Sequence, residues 1–176
     1  MLNKIVIIGP ESTGKSTLCE QLAAHFNTSW CPEFARKYLT EHGTDYSYDN
    51  LLTIAKGQWK LEEQYAAGTK NLLFIDTDQY VMKVWCEFVF NRCHNWILNR
   101  IADQQPSLYL LANIDLPWVK DEMREYPNEG PRKELYHIYK DILVNQHIPW
   151  VEIRGNYEER LELAISSVTH FLQAKN

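Results

Sequence analysis

Short apolar runs alternate with longer amphipathic stretches along the whole chain. The apolar runs have the length of buried strands and lie at residues 5–8, 28–31, 71–75, 107–112 and 149–153. The stretches between them show helical spacing of apolar residues, which predicts helices at 16–26, 36–42, 49–68, 79–102, 132–146 and 157–173. Strands that alternate with helices predict an α/β fold, a three-layer sandwich with a mainly parallel sheet.

The size and charge of the chain restrict the kind of partner it has. Its 176 residues are enough for one domain with a substantial core, so we predict a single domain over residues 1–176. The net charge is −5 and the basic residues are scattered, which disfavours binding to nucleic acid or to an anionic membrane. The N-terminus leads directly into the first predicted strand, without a basic region followed by a long apolar stretch, and no apolar run has membrane-spanning length. We therefore expect a cytoplasmic protein with a small-molecule partner. The oligomeric state, including a homo-oligomer, stays open.

The cysteines and histidines show no spacing that is typical of a metal site. The four cysteines lack a C-x-x-C pair and the six histidines lack an H-x-x-x-H pair. We therefore interpret the cysteines as reduced thiols in the core and expect no zinc.

The first apolar run leads into the pattern G-x-x-x-x-G-K-[ST] of a phosphate-binding loop. Glycines let backbone N–H groups close around a triphosphate, Lys15 faces the β- and γ-phosphates, and Ser16 offers a hydroxyl to Mg²⁺. A strand precedes the motif and a helix follows it, which is the context that the motif needs. We predict a P-loop site for ATP and Mg²⁺ with contacts from Gly9, Glu11, Ser12, Thr13, Gly14, Lys15, Ser16 and Thr17.

Four sets of polar residues are expected to meet at the carboxyl edge of the sheet, because ligands bind there in open α/β folds. They are the phosphate loop, Glu33 with Arg36, Asp76 with Asp78, and Arg124 with Arg132. The last pair belongs to a polar stretch, residues 119–132, whose prolines and glycine indicate a loop. We predict that this stretch is a mobile lid.

The two aspartates follow the third apolar run. Asp76 is placed like a Walker B carboxylate and is the candidate Mg²⁺ ligand beside Ser16; the alternative role is a helix N-cap. Asp78 can cap the following helix, contact a substrate hydroxyl, or do both.

Glu33 and the arginines suit phosphoryl transfer to an alcohol. Glu33 can act as general base or orient the attacking hydroxyl, although a solvated glutamate at a helix start remains the alternative. The guanidinium fork matches phosphate oxygens, so Arg36, Arg124 and Arg132 are candidates for charge neutralisation, with surface arginines as the alternative.

Several short stretches, taken together with the phosphate loop, are more specific for a family than the loop alone. They are GPESTGKSTL at residues 9–18, PEFAR at 32–36, IAKGQ at 54–58, DTD at 76–78, and PWV at 117–119 followed by an arginine. With these stretches the chain resembles, over nearly its whole length, the kinase domain of NadR-type proteins, the ribosylnicotinamide kinase family of P-loop proteins.

The resemblance implies a nucleoside-kinase-like P-loop fold and the transfer of the ATP γ-phosphate to the 5′-hydroxyl of nicotinamide riboside, which gives nicotinamide mononucleotide in NAD salvage. It also implies a role for particular residues. Glu33 and Arg36 would lie near the acceptor hydroxyl and Asp78 near the ribose. Gly155 and Tyr157 would flank the adenine of ATP, and Gln58 and Trp59 would read the nicotinamide carboxamide and ring, with core packing as the alternative for Trp59.

The chain departs from the family pattern in two places. It lacks the adenylyltransferase domain of fused NadR proteins, so we expect kinase activity only. The stretch after Val119 reads Lys-Asp-Glu-Met-Arg and lacks the family's aspartate-glycine pair, which leaves the role of Arg124 open.

Two other functions remain as alternatives. One is a kinase for another nucleoside or nucleotide, and the other is a regulatory ATP-binding or ATPase module without a small-molecule acceptor. A GTPase is disfavoured, because no glycine stands three residues after Asp76 and residues 113–115 do not form an N-K-x-D motif.

Overall fold

The computed structural model of the chain, which describes residues 2–104, 106–120, 126 and 128–174, is built around a five-stranded sheet. The strands are β1 (Asn3–Ile8), β2 (Ser29–Cys31), β3 (Leu72–Asp76), β4 (Leu108–Ala112) and β5 (Trp150–Ile153). Their order in the sheet is β2-β3-β1-β4-β5, and every neighbouring pair is parallel. The carboxyl ends of all five strands therefore meet at one edge.

Helices cover both faces of this sheet. They are α1 (Lys15–His25), α2 (Phe34–His42), α3 (Tyr48–Gly68), α4 (Gln79–Phe90), α5 (Asn95–Asp103), α6 (Glu129–Val144) and α7 (Tyr157–Ala174). Successive residues of β1 point to opposite faces, so Ile5 joins a core with Leu22 of α1 and Val168 of α7, whereas Val6 joins a second core with Leu143 of α6. The α/β sandwich with a parallel sheet, predicted from the sequence, is confirmed. Within the described residues no helix is both long and apolar enough to cross a membrane.

The helix predicted over residues 79–102 is in fact two helices. α4 ends at Phe90, where Asn91 takes a left-handed conformation (φ 53°), and α5 begins at Asn95. Asparagine tolerates this conformation better than most residues, so it ends the helix as a glycine would. The break turns α5 so that Ile97 enters a third core, which lies among α2, α3, α4 and α5.

Residues 129–131 also differ from the prediction, which assigned them to a loop and began the helix at residue 132. α6 begins at Glu129, so Gly130 and Pro131 lie in its first turn. A proline is tolerated there because the first N–H groups of a helix have no partner within the helix.

The cysteines are free thiols, and Cys19, Cys31 and Cys86 are buried. Burial raises the pKa of the Cys31 and Cys86 thiols to about 12. These side chains are therefore protonated at neutral pH and behave as small apolar residues of the core.

Candidate active site

The loop between β1 and α1 needs glycine at both ends of its motif. Gly9 has φ +145°, and a Cβ on it would lie 2.7 Å from the carbonyl oxygen of Ala112 in β4. Gly14 has φ +74° and is the N-cap of α1. The Lys15 ammonium donates to the carbonyl oxygen of Pro10 at 2.9 Å, which places it across the loop. The backbone conformation that the sequence motif requires is therefore present.

A cavity of about 430 Å³ opens above this loop. It is lined by the whole loop from Gly9 to Thr17 and by Glu33, Ala35, Arg36, Leu39, Thr44, Val81, Trp85, Phe88, Tyr126, Leu135 and Tyr139. The volume suits small ligands, and the lining combines aromatic walls with a few charged groups. The structure thus brings Glu33 and Arg36 to the phosphate loop, as the sequence predicted.

Asp76 is the last residue of β3 and is fully buried. The Ser16 hydroxyl donates to its Oδ2 at 2.5 Å. Burial raises the pKa of Asp76, while the Lys15 ammonium and the bond from Ser16 act in the opposite direction. The N-cap of α4 is Asp78, so the alternative role of Asp76 as a cap does not apply. A carboxylate beside a hydroxyl is a donor set that fits Mg²⁺, a hard cation that takes oxygen ligands and completes its shell with phosphates and water.

Asp78 has both carboxylate oxygens engaged inside the protein. Oδ1 accepts from the N–H groups of Tyr80 (2.9 Å) and Val81 (3.4 Å), and Oδ2 accepts from the Tyr109 hydroxyl (2.7 Å) and from Gln104 (2.9 Å). Burial raises the pKa of Asp78 to about 6. Asp78 is absent from the described lining of the cavity. The structure therefore gives it the role of helix cap, and the contact with a ribose stays a prediction.

Glu33 is the N-cap residue of α2, but its side chain does not cap that helix. It lines the cavity together with Arg36, which is three residues further on and so lies on the same side of the helix. Burial raises the pKa of the Tyr139 phenol, and the carboxylate of Glu33 raises it further. Glu33 and Tyr139 both line the cavity, and the charge of the carboxylate acts on the phenol.

Gln58 and Trp59 are not among the described residues that line the cavity, and their contact with a nicotinamide stays a prediction. Gln58 is buried, and its amide oxygen accepts from the Phe34 N–H at 2.7 Å. Trp59 meets Trp96 of α5 edge to face, with the Arg100 guanidinium 5.2 Å from its ring centroid. Gln58 thus holds the start of α2, and Trp59 packs α3 against α5.

The aromatic walls of the cavity come from residues that were not among the candidates of the sequence analysis. Trp85 and Phe88 of α4 line the cavity, and so does Tyr139 of α6. The Trp85 indole N–H donates to the Tyr46 hydroxyl at 2.8 Å. In the sequence, Trp85 and Phe88 look like any apolar helix face, and only the packing of α4 beside the phosphate loop shows what that face meets.

The predicted lid is described only in part, and Arg124 lies outside the described residues. Glu11 accepts from the Trp118 indole (3.3 Å) and from the Tyr126 N–H (2.7 Å), and the Ser12 hydroxyl accepts from the Val119 N–H (3.0 Å). Within the described part of this stretch, Val119 and Tyr126 therefore both contact the phosphate loop.

Arg132 does not lie among the described lining residues of the cavity, although its side chain is buried. Its guanidinium approaches the carbonyl oxygens of Leu116 (3.4 Å) and Ser12 (3.5 Å). It therefore faces the backbone of the phosphate loop. Its predicted contact with a phosphate stays a prediction.

Tyr157 lies beside Gly14, at the end of the phosphate loop where α1 begins, and Gly155 lies just before it in the loop after β5. The Gly155 N–H donates to Asp115 at 2.5 Å. The Tyr157 ring is 3.4 Å from the position that a Cβ of Gly14 would take, and it is half exposed. This ring forms an open surface beside the loop.

A parallel sheet in the order β2-β3-β1-β4-β5, with a phosphate loop after β1 and a buried carboxylate at the end of β3, defines a P-loop fold of the nucleoside-kinase type. Residues 4–160 match the family described as AAA domain, and the chain belongs to that family.

Relatives of the chain include the trifunctional NAD biosynthesis/regulator proteins NadR of Escherichia coli K12 and Salmonella typhimurium. Each is 28% identical to the chain over 173 residues, which is 96% of the chain. The chain spans 42% of the length of these relatives. The likeness to NadR-type proteins, indicated by the sequence motifs, is confirmed.

Solved structures support the same fold. A crystal structure of NadR in complex with NR superposes with a TM-score of 0.83 at 23% identity, over 97% of this chain and 49% of that one. A deoxyadenosine kinase from M. mycoides superposes with a TM-score of 0.60 at 13% identity, over 95% of this chain and 99% of that one. At these identities the likeness establishes the fold alone.

Proposed function

We propose that the chain is an ATP-dependent kinase that phosphorylates the 5′-hydroxyl of nicotinamide riboside and so forms nicotinamide mononucleotide. The observation that carries this proposal is one cavity that joins a complete phosphate loop to a carboxylate, Glu33, and an arginine, Arg36. Two findings on relatives support it, since a NadR structure was solved with NR and a chain of the same fold is a deoxyadenosine kinase.

The donor nucleotide would occupy the phosphate loop. Backbone N–H groups and the Lys15 ammonium would bind the phosphates, and the positive end of the α1 dipole adds to the same attraction. Ser16 and Asp76 would hold Mg²⁺, which neutralises phosphate charge when it is bound. Tyr157, half exposed beside Gly14, would flank the adenine.

The acceptor would lie across the cavity, where its hydroxyl meets Glu33. Phosphoryl transfer needs mainly the positioning of the two reactants and the neutralisation of charge. The Glu33 carboxylate would accept a hydrogen bond from the hydroxyl, orient its oxygen towards the γ-phosphate and take its proton. Arg36, on the same side of α2, would neutralise the charge on the transferred group.

The nicotinamide ring would lie against the aromatic wall formed by Trp85 and Phe88. The pyridinium ring of nicotinamide riboside is cationic, and aromatic faces attract cations. The hydrogen bond from Trp85 to Tyr46 holds the indole in one orientation. In this proposal the wall, rather than Gln58 and Trp59, would bind the ring.

ATP turnover with a panel of acceptors tests the proposal. Nicotinamide riboside, ordinary nucleosides and nucleoside monophosphates would each be offered, with the phosphorylated product identified by mass. We expect nicotinamide riboside to be preferred, and we expect turnover to stop on chelation and to return with added Mg²⁺. Preference for another nucleoside would show that the proposed acceptor is wrong and that the chain is a kinase for that nucleoside. ATP binding without stimulation by any acceptor would support a regulatory module.

Replacement of the proposed base gives the sharpest test of the site. Glu33→Gln keeps the size of the side chain and removes its charge, so kcat should fall by a factor of about 10²–10⁴ while ATP affinity stays unchanged. Glu41→Gln, on the exposed side of the same helix, is the matched control. Wild-type turnover in Glu33→Gln would rule out the role of Glu33 in the reaction.

A further inference from the structure

Arg160 lies in the first turn of α7 and is 3% exposed. Its guanidinium donates to carbonyl oxygens in three different loops: Nη1 to Thr13 (2.7 Å), Nη2 to Asn113 (2.7 Å) and Nε to Gly155 (2.8 Å). Nη2 also pairs with the Asp115 carboxylate. One side chain therefore connects the phosphate loop with the loops that follow β4 and β5.

The contacts of Arg160 require a guanidinium. A buried cation is costly unless its charge is balanced and its donors are satisfied, and here Asp115 balances the charge while three carbonyls accept hydrogen bonds. The second oxygen of Asp115 accepts from the Gly155 N–H, so Asp115, like Arg160, is bonded to the loop after β5. A lysine ammonium is a point donor without the planar fork and cannot reach these acceptors together.

The bond to Thr13 has a consequence for the phosphate loop. The Thr13 carbonyl and the Gly14 N–H belong to one trans peptide unit, so they point in opposite directions. Arg160 holds the carbonyl on the side of α7. The Gly14 N–H is thereby directed to the other side, where Gly14 lines the cavity.

We propose that Arg160 is a positioning residue for the donor nucleotide, which sets the direction of the Gly14 N–H and joins the phosphate loop to the loop of Gly155 beside the adenine side of the site. The inference rests on the proposed function only in that a nucleotide occupies the phosphate loop. Arg160 does not contact the reacting groups.

The test is a binding measurement without any acceptor. Arg160→Lys keeps the positive charge and loses the fork, so its affinity for the Mg²⁺ complex of AMP-PNP should fall about 10–100-fold, the range for one hydrogen bond to a charged group. Affinity for inorganic tripolyphosphate should fall by a similar factor, because the affected group contacts phosphate. Arg154→Lys, exposed in the segment just before Gly155, is the matched control and should bind as the wild type does.

A purely structural role would give a different result. In that case Arg160→Lys would lower the melting temperature, while its folded fraction would bind both ligands with wild-type affinity, and the proposal would be overturned. Should Arg160→Lys fail to fold, Asp115→Asn replaces it, with an expected loss of about three- to tenfold in affinity for tripolyphosphate. Unchanged affinity in that variant would also overturn the proposal.

The binding test is independent of the acceptor. A kinase with another acceptor, or a regulatory module with none, would still show the loss of nucleotide affinity in Arg160→Lys. Failure of the acceptor panel and failure of the Arg160 proposal are therefore distinguishable.

Discussion

Gly57 lies in the interior of α3, where the ring of Phe34 rests directly on the helix backbone. A Cβ on Gly57 would lie 2.5 Å from Cζ of that ring and closer still to Cδ1 and Cε1. Phe34 is also held by its N–H, which donates to Gln58 at 2.7 Å. The ring itself packs against the core among α2, α3, α4 and α5. To make room for a Cβ, either the ring must give up that packing or the start of α2, next to Glu33, must shift.

Two opposite effects decide the outcome of Gly57→Ala. Alanine is favoured over glycine inside a helix by about 1 kcal/mol. Overpacking against a side chain that is itself packed in the core costs about 1–3 kcal/mol, and here three ring atoms clash at once. We expect the second effect to dominate, so the free energy of unfolding should fall by about 1–2 kcal/mol. Displacement of the start of α2 should also lower kcat by moving Glu33, without a change in ATP affinity.

Urea unfolding of a small set of variants measures this balance. Gly68→Ala is the control in the same helix, since nothing lies within 4 Å of its Cβ position, and it should be neutral or stabilising. In a Phe34→Ala background the clash is gone, so Gly57→Ala should become stabilising by about 1 kcal/mol. The reasoning would be refuted by a Gly57→Ala protein that is as stable as Gly68→Ala in the presence of Phe34.

Two further predictions concern hydrogen bonds that hold helix starts. Ser47→Ala removes the capping box with Asn50 at the start of α3 and should lower the free energy of unfolding by about 1 kcal/mol without a change in nucleotide affinity. Tyr109→Phe removes a donor 2.7 Å from the buried Asp78 carboxylate and should cost about 1.5–3 kcal/mol. Urea unfolding measures both; wild-type stability in either variant would contradict the role given to that bond.

Features with a strong local signal were predictable from the sequence. The phosphate loop combines an apolar run, two glycines in a required conformation and a helix start, all within 15 residues of chain, and the structure has each of them. The placement of Glu33 and Asp76 near the phosphate loop was predictable because the ends of parallel strands meet at one edge of the sheet.

Features that depend on distant packing were not predictable in the same way. Asn91 breaks the helix after α4 through a conformation that asparagine only sometimes takes, so the sequence pattern continued through it. Gln58 is polar and close to a family motif, which favoured a ligand contact, yet it is buried against the backbone of Phe34. Arg160 is one of many charged residues in a helix, and nothing near it in the sequence indicates its carbonyl partners.

The sequence by itself determined the class of fold and the position of the phosphate loop, because backbone conformation and hydrophobic periodicity act over a few neighbouring residues. Only the tertiary structure decided which side chains face the cavity. Trp85 and Gln58 both lie on amphipathic helices, and whether such a residue meets a ligand or another helix depends on how α3 and α4 pack against α2 and the sheet. That packing results from contacts between residues far apart in the chain, which no local pattern records.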